Sequence, residues 1–427
     1  MEYEQFGRYQ EIVARQEEAF LDQANREKTL SEIVDRHSAA RGREDTTFLR
    51  SIVATASIAD PVLIVAEELL VRSCDATRAA QVLKDADIDF KGPDEVTCGS
   101  AEHHLAVSVL RLSPKNLATA ATTLHSARIE ASFNHLLPAG PVVKAGGAGP
   151  GRPSGGVIAA SADPSAGQGV VVAVIDTGIA EDSDSIHASV LGGVADTAEN
   201  TDPLDALAPV GLDYGAGHGT FVAGLIRQVA PAADVRVYRA LDSDGIGSEV
   251  DVACAMLRAA LTDGAHIVNL SLGQQSFSDR PPVALAAALE MLPDEVVIIA
   301  AAGNDDSTRP CWPAAFRRVV AVGARSPSGR RAPYSNHGSW LDASTLGSGV
   351  VSTYVRGKEE LTGDDWSSDA EPIAIWSGTS FAAPQIAGLV AAGVATHGSP
   401  RAALDAVLAA GWPEPDMGVT IESPLRP

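Results

Sequence analysis

The chain has 427 residues, 45% of them hydrophobic, and a formal net charge of −23. That length and apolar content allow a large buried core and two domains or more, while the excess of acid repels phosphate backbones and anionic lipid, so neither nucleic acid nor a membrane surface is an expected partner. The opening residues, Met1-Glu2-Tyr3-Glu4-Gln5-Phe6-Gly7-Arg8, are polar and no run of roughly 18 apolar residues follows, which makes a cytoplasmic protein the expectation.

Residues 1–55 form a charged helical arm: Ile12, Ala19, Phe20, Ala24, Leu30 and Ile33 recur at helical spacing among Glu, Arg and Gln. One or two exposed helices with a solvated charged face are predicted, the alternative being a docking surface for an unidentified protein partner. Residues 56–137 change texture. A strand at 61–65, a helix over 75–83 with Asp75 as N-cap, a strand at 105–110, a second helix after Ser113-Pro114 and a close near 129–134 suggest a small α+β unit, a split βαβ of the ferredoxin-like kind. Residues 138–168, dominated by Pro, Gly, Ala and Ser, read as a linker with Lys144 and Arg152 exposed.

From 169 to 410, near-continuous apolar strands alternate with helices: strands at 171–175, 235–239, 267–271, 296–301 and 319–322, helices at 220–228, 252–260 and after Ser380. Apolar strands separated by helices imply a mostly parallel sheet covered on both faces, an α/β doubly wound domain. Residues 411–427 read as a C-terminal tail. Cys74, Cys98, Cys254 and Cys311 are scattered without CxxC spacing, so neither a zinc site nor a disulfide framework is expected, and free buried thiols are.

Three stretches of this domain carry an acid, a base and a nucleophile: Val171-Val172-Ala173-Val174-Ile175-Asp176-Thr177-Gly178, Gly217-His218-Gly219-Thr220, and Ser377-Gly378-Thr379-Ser380-Phe381-Ala382-Ala383-Pro384. A serine hydroxyl is a poor nucleophile at neutral pH; it needs a neighbouring base, and that base needs an acid to fix its tautomer. Gly-Thr-Ser alone is ordinary turn chemistry. Together, in the order Asp, His, Ser, the three stretches resemble the subtilisin-like serine peptidases.

The resemblance implies a catalytic triad of Asp176, His218 and Ser380, and an oxyanion donor at Asn304 in Ala300-Ala301-Ala302-Gly303-Asn304. It also implies that a substrate peptide adds as a strand between Gly245-Ile246-Gly247 and Ser271-Leu272-Gly273. Counting back from Trp312-Pro313 puts Cys311 at the floor of the pocket for the residue before the cut and Asp305 at its rim. A medium apolar floor favours Leu, Met or Phe, and the carboxylate adds tolerance for Lys or Arg. The unit at 56–137 resembles, by position and element order, the inhibitory propeptide of the family, with an adaptor domain as the rival.

Asp242, Asp244, Glu249 and Asp251 lack the spacing of a calcium loop and read as a solvated rim. The chain runs straight from Leu225–Val229 to Ala230-Pro231-Ala232-Ala233-Asp234, without the ligand-rich loop that binds calcium in many subtilisins, so no metal and no cofactor is expected. Residues 358–371 read as an acidic insertion. The expected activity is hydrolysis of polypeptides through an acyl-enzyme. A peptide ligase or cyclase on the same scaffold is the alternative among enzymes, and a non-catalytic peptide-binding protein is the alternative outside them.

Overall fold

The computed structural model describes residues 3–40, 52–54, 62–99, 103–139, 148–153, 158, 161–194, 199–207, 211–359 and 362–425. The chain begins with two helices, α1 (Tyr3–Leu21) and α2 (Gln23–Ala40). Their charged composition predicted a solvated face; instead each buries a stripe on the rest of the protein. Tyr9, Ile12 and Val13 pack with Ile375, and Phe20 meets Tyr334 at a ring distance of 4.4 Å. Tyr9 donates to the Gly349 carbonyl at 3.0 Å, and Gln16 Nε2 donates to the carbonyls of Gly149 at 2.8 Å and Ile375 at 3.0 Å.

A second unit follows: β1 (Ile52–Ala54), β2 (Leu63–Arg72), α3 (Ala76–Asp85), β3 (Lys91–Cys98), β4 (His103–Arg111), α4 (Leu117–Ser126) and β5 (Ala131–Pro138). Its strands are antiparallel in the order β3-β4-β2-β5, with β1 along the start of β2. β3 escapes sequence reading because it is an exposed polar edge that lacks apolar alternation and contains Gly92-Pro93. Asp75 stands at the N-cap position of α3 as expected but makes no side-chain capping hydrogen bond: a short 3₁₀ turn over Ser73–Asp75 runs into the helix, and Asp75 pairs with Arg78 at 3.5 Å. One sheet face packs under α3 and α4 through Leu69, Val71, Leu83, Leu110, Leu124 and Phe133. Most of the predicted linker lies outside the described residues. Of what is described, Ala148 is buried, Gly151 pairs with Ile375, and Arg152 is tied to Asp369.

The remainder runs β6 (Val171–Asp176), the short turns α5 (Ser183–Ile186) and α6 (Ala188–Leu191), α7 (His218–Val229), β7 (Asp234–Arg239), β8 (Ile246–Ser248) and α8 (Glu249–Leu257). Next come β9 (Ile267–Leu270), β10 (Gln274–Gln275), α9 (Val283–Met291), β11 (Val297–Ala301), β12 (Cys311–Trp312), β13 (Val319–Arg325) and β14 (Ala343–Leu346). The chain closes with β15 (Val350–Thr353), β16 (Ile373–Trp376), α10 (Ala383–His397), α11 (Pro400–Ala410), β17 (Trp412–Glu414) and β18 (Gly418–Thr420). An eight-stranded sheet has the order β7-β6-β9-β11-β13-β14-β18-β17, parallel except for its last pair. The α/β doubly wound expectation holds, and the predicted tail is corrected: residues 412–420 form a hairpin on the sheet edge, and Ile421 and Leu425 are buried behind it. The acidic insertion folds as well, burying Trp366 against Tyr354.

Helices α7 and α10 cover one face of the sheet and α8 and α9 the other. Leu70, Val107 and Val109, on the second face of the N-terminal sheet, share a cluster with Val252 and Met256 of α8 and with Ala284, Leu285 and Ala288 of α9. Each such side chain contributes about 1.5–3 kcal/mol when fully buried, against about 1 kcal/mol for a typical hydrogen bond. Apolar contact therefore does most to hold the two units face to face. The disulfide between Cys98 of β3 and Cys254 of α8 crosses the same interface. It corrects the expectation of free buried thiols, which stands only for Cys311; Cys74 is free but exposed.

Candidate active site

The large sheet reverses its winding at β6: β7 lies on one side of it, and β9, β11 and β13 follow on the other. In doubly wound sheets the crevice beyond the carboxyl ends of the strands at such a point is where ligands sit. Asp176 ends β6, Ser271 follows β9, and Asn304 comes shortly after β11. His218 opens α7, and Ser380 lies in the 3₁₀ turn Thr379–Phe381 just ahead of α10. Two glycines permit the approach. A Cβ on Gly219 would sit 2.1 Å from the Gly178 carbonyl oxygen, and Gly178 itself has φ +110°.

Asp176 Oδ1 lies 2.7 Å from His218 Nδ1 and also accepts the Thr177 N–H at 2.8 Å. A carboxylate can only accept, so Nδ1 carries the proton and the Nε2 lone pair is left as a base. The imidazole packs against Trp376 and Phe381, with ring distances of 5.6 and 5.4 Å. Asp176, His218 and Ser380 are all at most 1% exposed. Ser380 Oγ donates to the Ser271 carbonyl at 3.1 Å, while Ser271 Oγ donates back to the Ser380 carbonyl at 2.8 Å. His218 Nε2 has no hydrogen-bond partner among the described residues. The acid–base pair is assembled, and the hydroxyl is turned onto Ser271.

Asn304 Oδ1 accepts from both Thr379 N and Thr379 Oγ1 at 2.9 Å, which leaves its NH₂ group as the free donor beside the Ser380 turn. Sequence reading missed the residues that hold these groups. Asn336, fully buried, accepts the N–H groups of Asp305 and Ser307 and donates to the Ala302 carbonyl. Asp202 accepts from Thr177 Oγ1 at 3.0 Å and Gly217 N at 2.9 Å, so it touches the segments carrying both the acid and the base. Burial raises its carboxyl to about 6, against those hydrogen bonds. No motif marks either residue; each acts through turns that only the fold creates.

The two predicted binding edges come together around one strand. β5 pairs antiparallel with β8, Pro138 opposite Ile246 and Leu137 opposite Gly247. Ala139 donates to the Gly245 carbonyl at 2.7 Å and bridges to Leu272, and Gly273 N–H donates to the Pro138 carbonyl at 3.0 Å. The space between the edges thus holds the chain's own residues 136–139. Cys311 Sγ lies 3.0 Å from where a Cβ on Gly303 would sit and 3.2 Å from one on Gly273. Burial and the charge of Asp305 raise this thiol well above its usual range, so it presents a neutral, apolar surface there. Asp305 is half-buried.

The acidic cluster is not a solvated rim. Asp242, Asp244 and Glu249 are buried, Asp251 is half-buried at the start of α8, and partners from the N-terminal residues face three of the four. Glu249 accepts from Ala284 N at 3.1 Å and Ser132 Oγ at 3.2 Å, and its Oε2 lies 2.8 Å from His135 Nδ1. Arg36 donates to Asp244 and Asp213, and His37 Nε2 lies 3.2 Å from Asp242 Oδ2. Burial raises the carboxyls of Asp242 and Asp244.

Comparison with known proteins agrees with this geometry. The chain is 34% identical over 234 residues to the thermophilic serine proteinase of Bacillus sp. (strain AK1), covering 52% of this chain and 51% of that protein. It is 33% identical over 235 residues to subtilisin BL of Lederbergia lenta, covering 53% of this chain and 76% of that one. This chain thus spans about half the length of the first relative and three quarters of the second. The crystal structure of a lanthipeptide protease overlays with a TM-score of 0.49 at 24% identity, over 61% of this chain and 86% of that one. A family model described as the Subtilase family matches residues 167–404, more than half of the chain and including Asp176, His218, Asn304 and Ser380, and the chain belongs to that family.

Proposed function

We propose that the protein is a serine endopeptidase written as a self-inhibited precursor. The observation that carries the reading is the buried Asp176–His218 pair at 2.7 Å with Ser380 and the anchored Asn304 at the same crevice. In the reaction Ser380 Oγ turns from Ser271 to His218, gives its proton to Nε2 and bonds to the scissile carbonyl carbon. The carbonyl oxygen takes up the negative charge beside the Asn304 amide and the Ser380 N–H. His218 then protonates the leaving amine as the C–N bond breaks, and water, deprotonated by His218, releases the acyl group.

Self-inhibition is supported by strand β5, which continues to Ala139 between the edges that a substrate would fill. The unit formed by residues 62–139 reads as a ferredoxin-like split βαβ, on the strand order β3-β4-β2-β5 and the two helices on one face. A tethered strand has an effective concentration near ~1 mM, so even weak complementarity blocks the cleft. The test is fluorophosphonate labelling of Ser380 in the full chain, before and after limited cleavage within residues 140–168, with the Cys98–Cys254 disulfide reduced in both so that the cut severs the last covalent tether. Labelling that appears or accelerates on cleavage is expected. No labelling in either form would remove the enzyme reading, and equal labelling in both would remove self-inhibition.

A further inference from the structure

Outside the Asp176–His218–Ser380 crevice, a densely hydrogen-bonded polar site receives Arg36. Its guanidinium forms a two-pronged contact with Asp244, Nε to Oδ2 at 3.0 Å and Nη2 to Oδ1 at 2.7 Å, and Nη2 also reaches Asp213. Both carboxylates are fully buried, and the Tyr214 ring lies 4.6 Å from the guanidinium carbon. The acids are locked independently of Arg36. Asp213 Oδ2 accepts from Ser243 Oγ at 2.6 Å and Leu207 N at 2.8 Å, and Asp244 Oδ1 accepts from Tyr214 N at 3.3 Å. Paired carboxylates in fixed positions beside an aromatic face match the planar fork of arginine and not the point charge of lysine.

All three receptor residues belong to the catalytic unit, and the cation comes from α2. The receptor adjoins the cleft on both of its strands of chain. Asp244 precedes Gly245, whose carbonyl takes the Ala139 N–H, and Tyr214 precedes Gly215, which packs on Gly245 three residues ahead of His218. Ile33 of α2 shares one apolar cluster with Leu136 of β5, Tyr214 and Ile246. The same cluster includes Leu63 and Val65 of β2, so α2 packs on the N-terminal sheet as well as on the receptor. His37, 2% exposed, follows Arg36 into the same acidic recess, its Nε2 3.2 Å from Asp242 Oδ2 but neither ring nitrogen hydrogen-bonded among the described residues, so the recess is fitted less well to its second occupant than to the guanidinium.

We propose that Asp213, Tyr214 and Asp244 form an arginine-recognising subsite beside the cleft, filled in cis by Arg36 and open to an arginine side chain of a polypeptide substrate once the N-terminal unit departs. The substrate half of this inference rests on the peptidase reading; the guanidinium half does not.

Chemical rescue in the full-length chain separates the two. Arg36→Ala leaves buried carboxylates without their cation and is expected to lower the thermal midpoint by about 5 °C. Propylguanidine at millimolar concentration is expected to restore most of that drop, propylammonium much less, and neither to move the wild type. Arg36→Lys, which keeps the charge and loses the fork, is expected to fall between and to serve if the alanine variant does not fold. Equal rescue by the two cations, or none in a folded variant, overturns the site. In protein cleaved within residues 140–168, with the Cys98–Cys254 disulfide reduced, peptides bearing arginine at one position before the cut are expected to exceed their citrulline counterparts in kcat/KM by about tenfold, as one bidentate charged contact allows, and Asp244→Asn should abolish the advantage. No arginine preference at any position overturns the substrate role even where rescue succeeds. Rescue without fluorophosphonate labelling would leave the guanidinium site standing and remove the peptidase reading.

Discussion

Two buried histidine–carboxylate pairs in this molecule look alike and differ in what surrounds them. Asp176 and His218 are 2.7 Å apart, Glu249 and His135 are 2.8 Å apart, and all four side chains are at most 2% exposed. The difference lies at the far nitrogen. His135 Nε2 accepts the Phe277 N–H at 3.3 Å, so that ring is saturated, whereas His218 Nε2 is left without a partner among the described residues. A satisfied imidazole between two units fastens them; an unsatisfied one inside a single unit keeps a lone pair that can accept a proton. Burial and a carboxylate partner alone do not distinguish a clasp from a catalyst.

The largest test of that contrast is at the triad. Ser380→Ala and His218→Ala should each lower peptide hydrolysis by about 10⁶-fold, a magnitude taken from subtilisin itself, and Asp176→Asn by about 10⁴-fold through the wrong His218 tautomer; casein turnover in cleaved and thiol-reduced protein measures all three. Asn304→Ala should cost about 10²–10³ in kcat with little change in KM, again on the subtilisin precedent. His135→Ala should act in the opposite direction. Losing the partner of a buried carboxylate costs about 3–5 kcal/mol, so the clasp loosens and fluorophosphonate labelling of the uncut chain should rise by about 10² or more. Slower labelling would make His135 part of the catalytic apparatus and erase the comparison.

Asp202 sharpens it through pH. Its folded pKa, about 6, is raised from 3.8, so its stabilising contribution is complete below 3.8 and is lost as pH rises through 6. The thermal midpoint of the wild type relative to Asp202→Asn, both on a Ser380→Ala background, should therefore decline from pH 4 to pH 6 and then level. A rising difference would contradict the assigned direction. The smallest effect is expected from chelation: with α7 ending at Val229 and β7 starting at Asp234, EGTA should move the midpoint by no more than about 1 °C, whereas a bound ion well above its Kd would add several kcal/mol of stability.

What could be read from the chain in advance follows from where each interaction's partner lies. Asp176, His218 and Ser380 sit in local patterns that encode their own turns, and Gly178 and Gly219 are needed for a contact within the same motifs. Strands β6, β9, β11 and β13 are buried on both faces, so their apolar runs stood out. Arg36, in contrast, finds Asp244 at a separation of 208 residues, and Gln16 finds Ser377 at 361. A polar helix with a modest apolar stripe looks the same whether water or another surface meets it. The acids of the supposed rim failed for the matching reason: the sequence shows four carboxylates and not the cations that arrive from elsewhere. β3 was missed because an exposed edge strand needs no alternation.

The disulfide between Cys98 and Cys254 changes what a peptide-bond cut can accomplish. It spans 156 residues of chain and encloses all of 140–168, so scission there converts one polypeptide into two that remain a single covalent particle. Its mass is unchanged apart from the added water, and its hydrodynamic size changes little. The blocking strand is then no more dilute after the cut than before it, since the bridge replaces the severed tether. In an oxidising compartment, where such bonds persist, dissociation requires electrons as well as hydrolysis, and in a reducing one hydrolysis alone suffices. Electrophoresis of the nicked protein with and without thiol distinguishes the two regimes by counting bands.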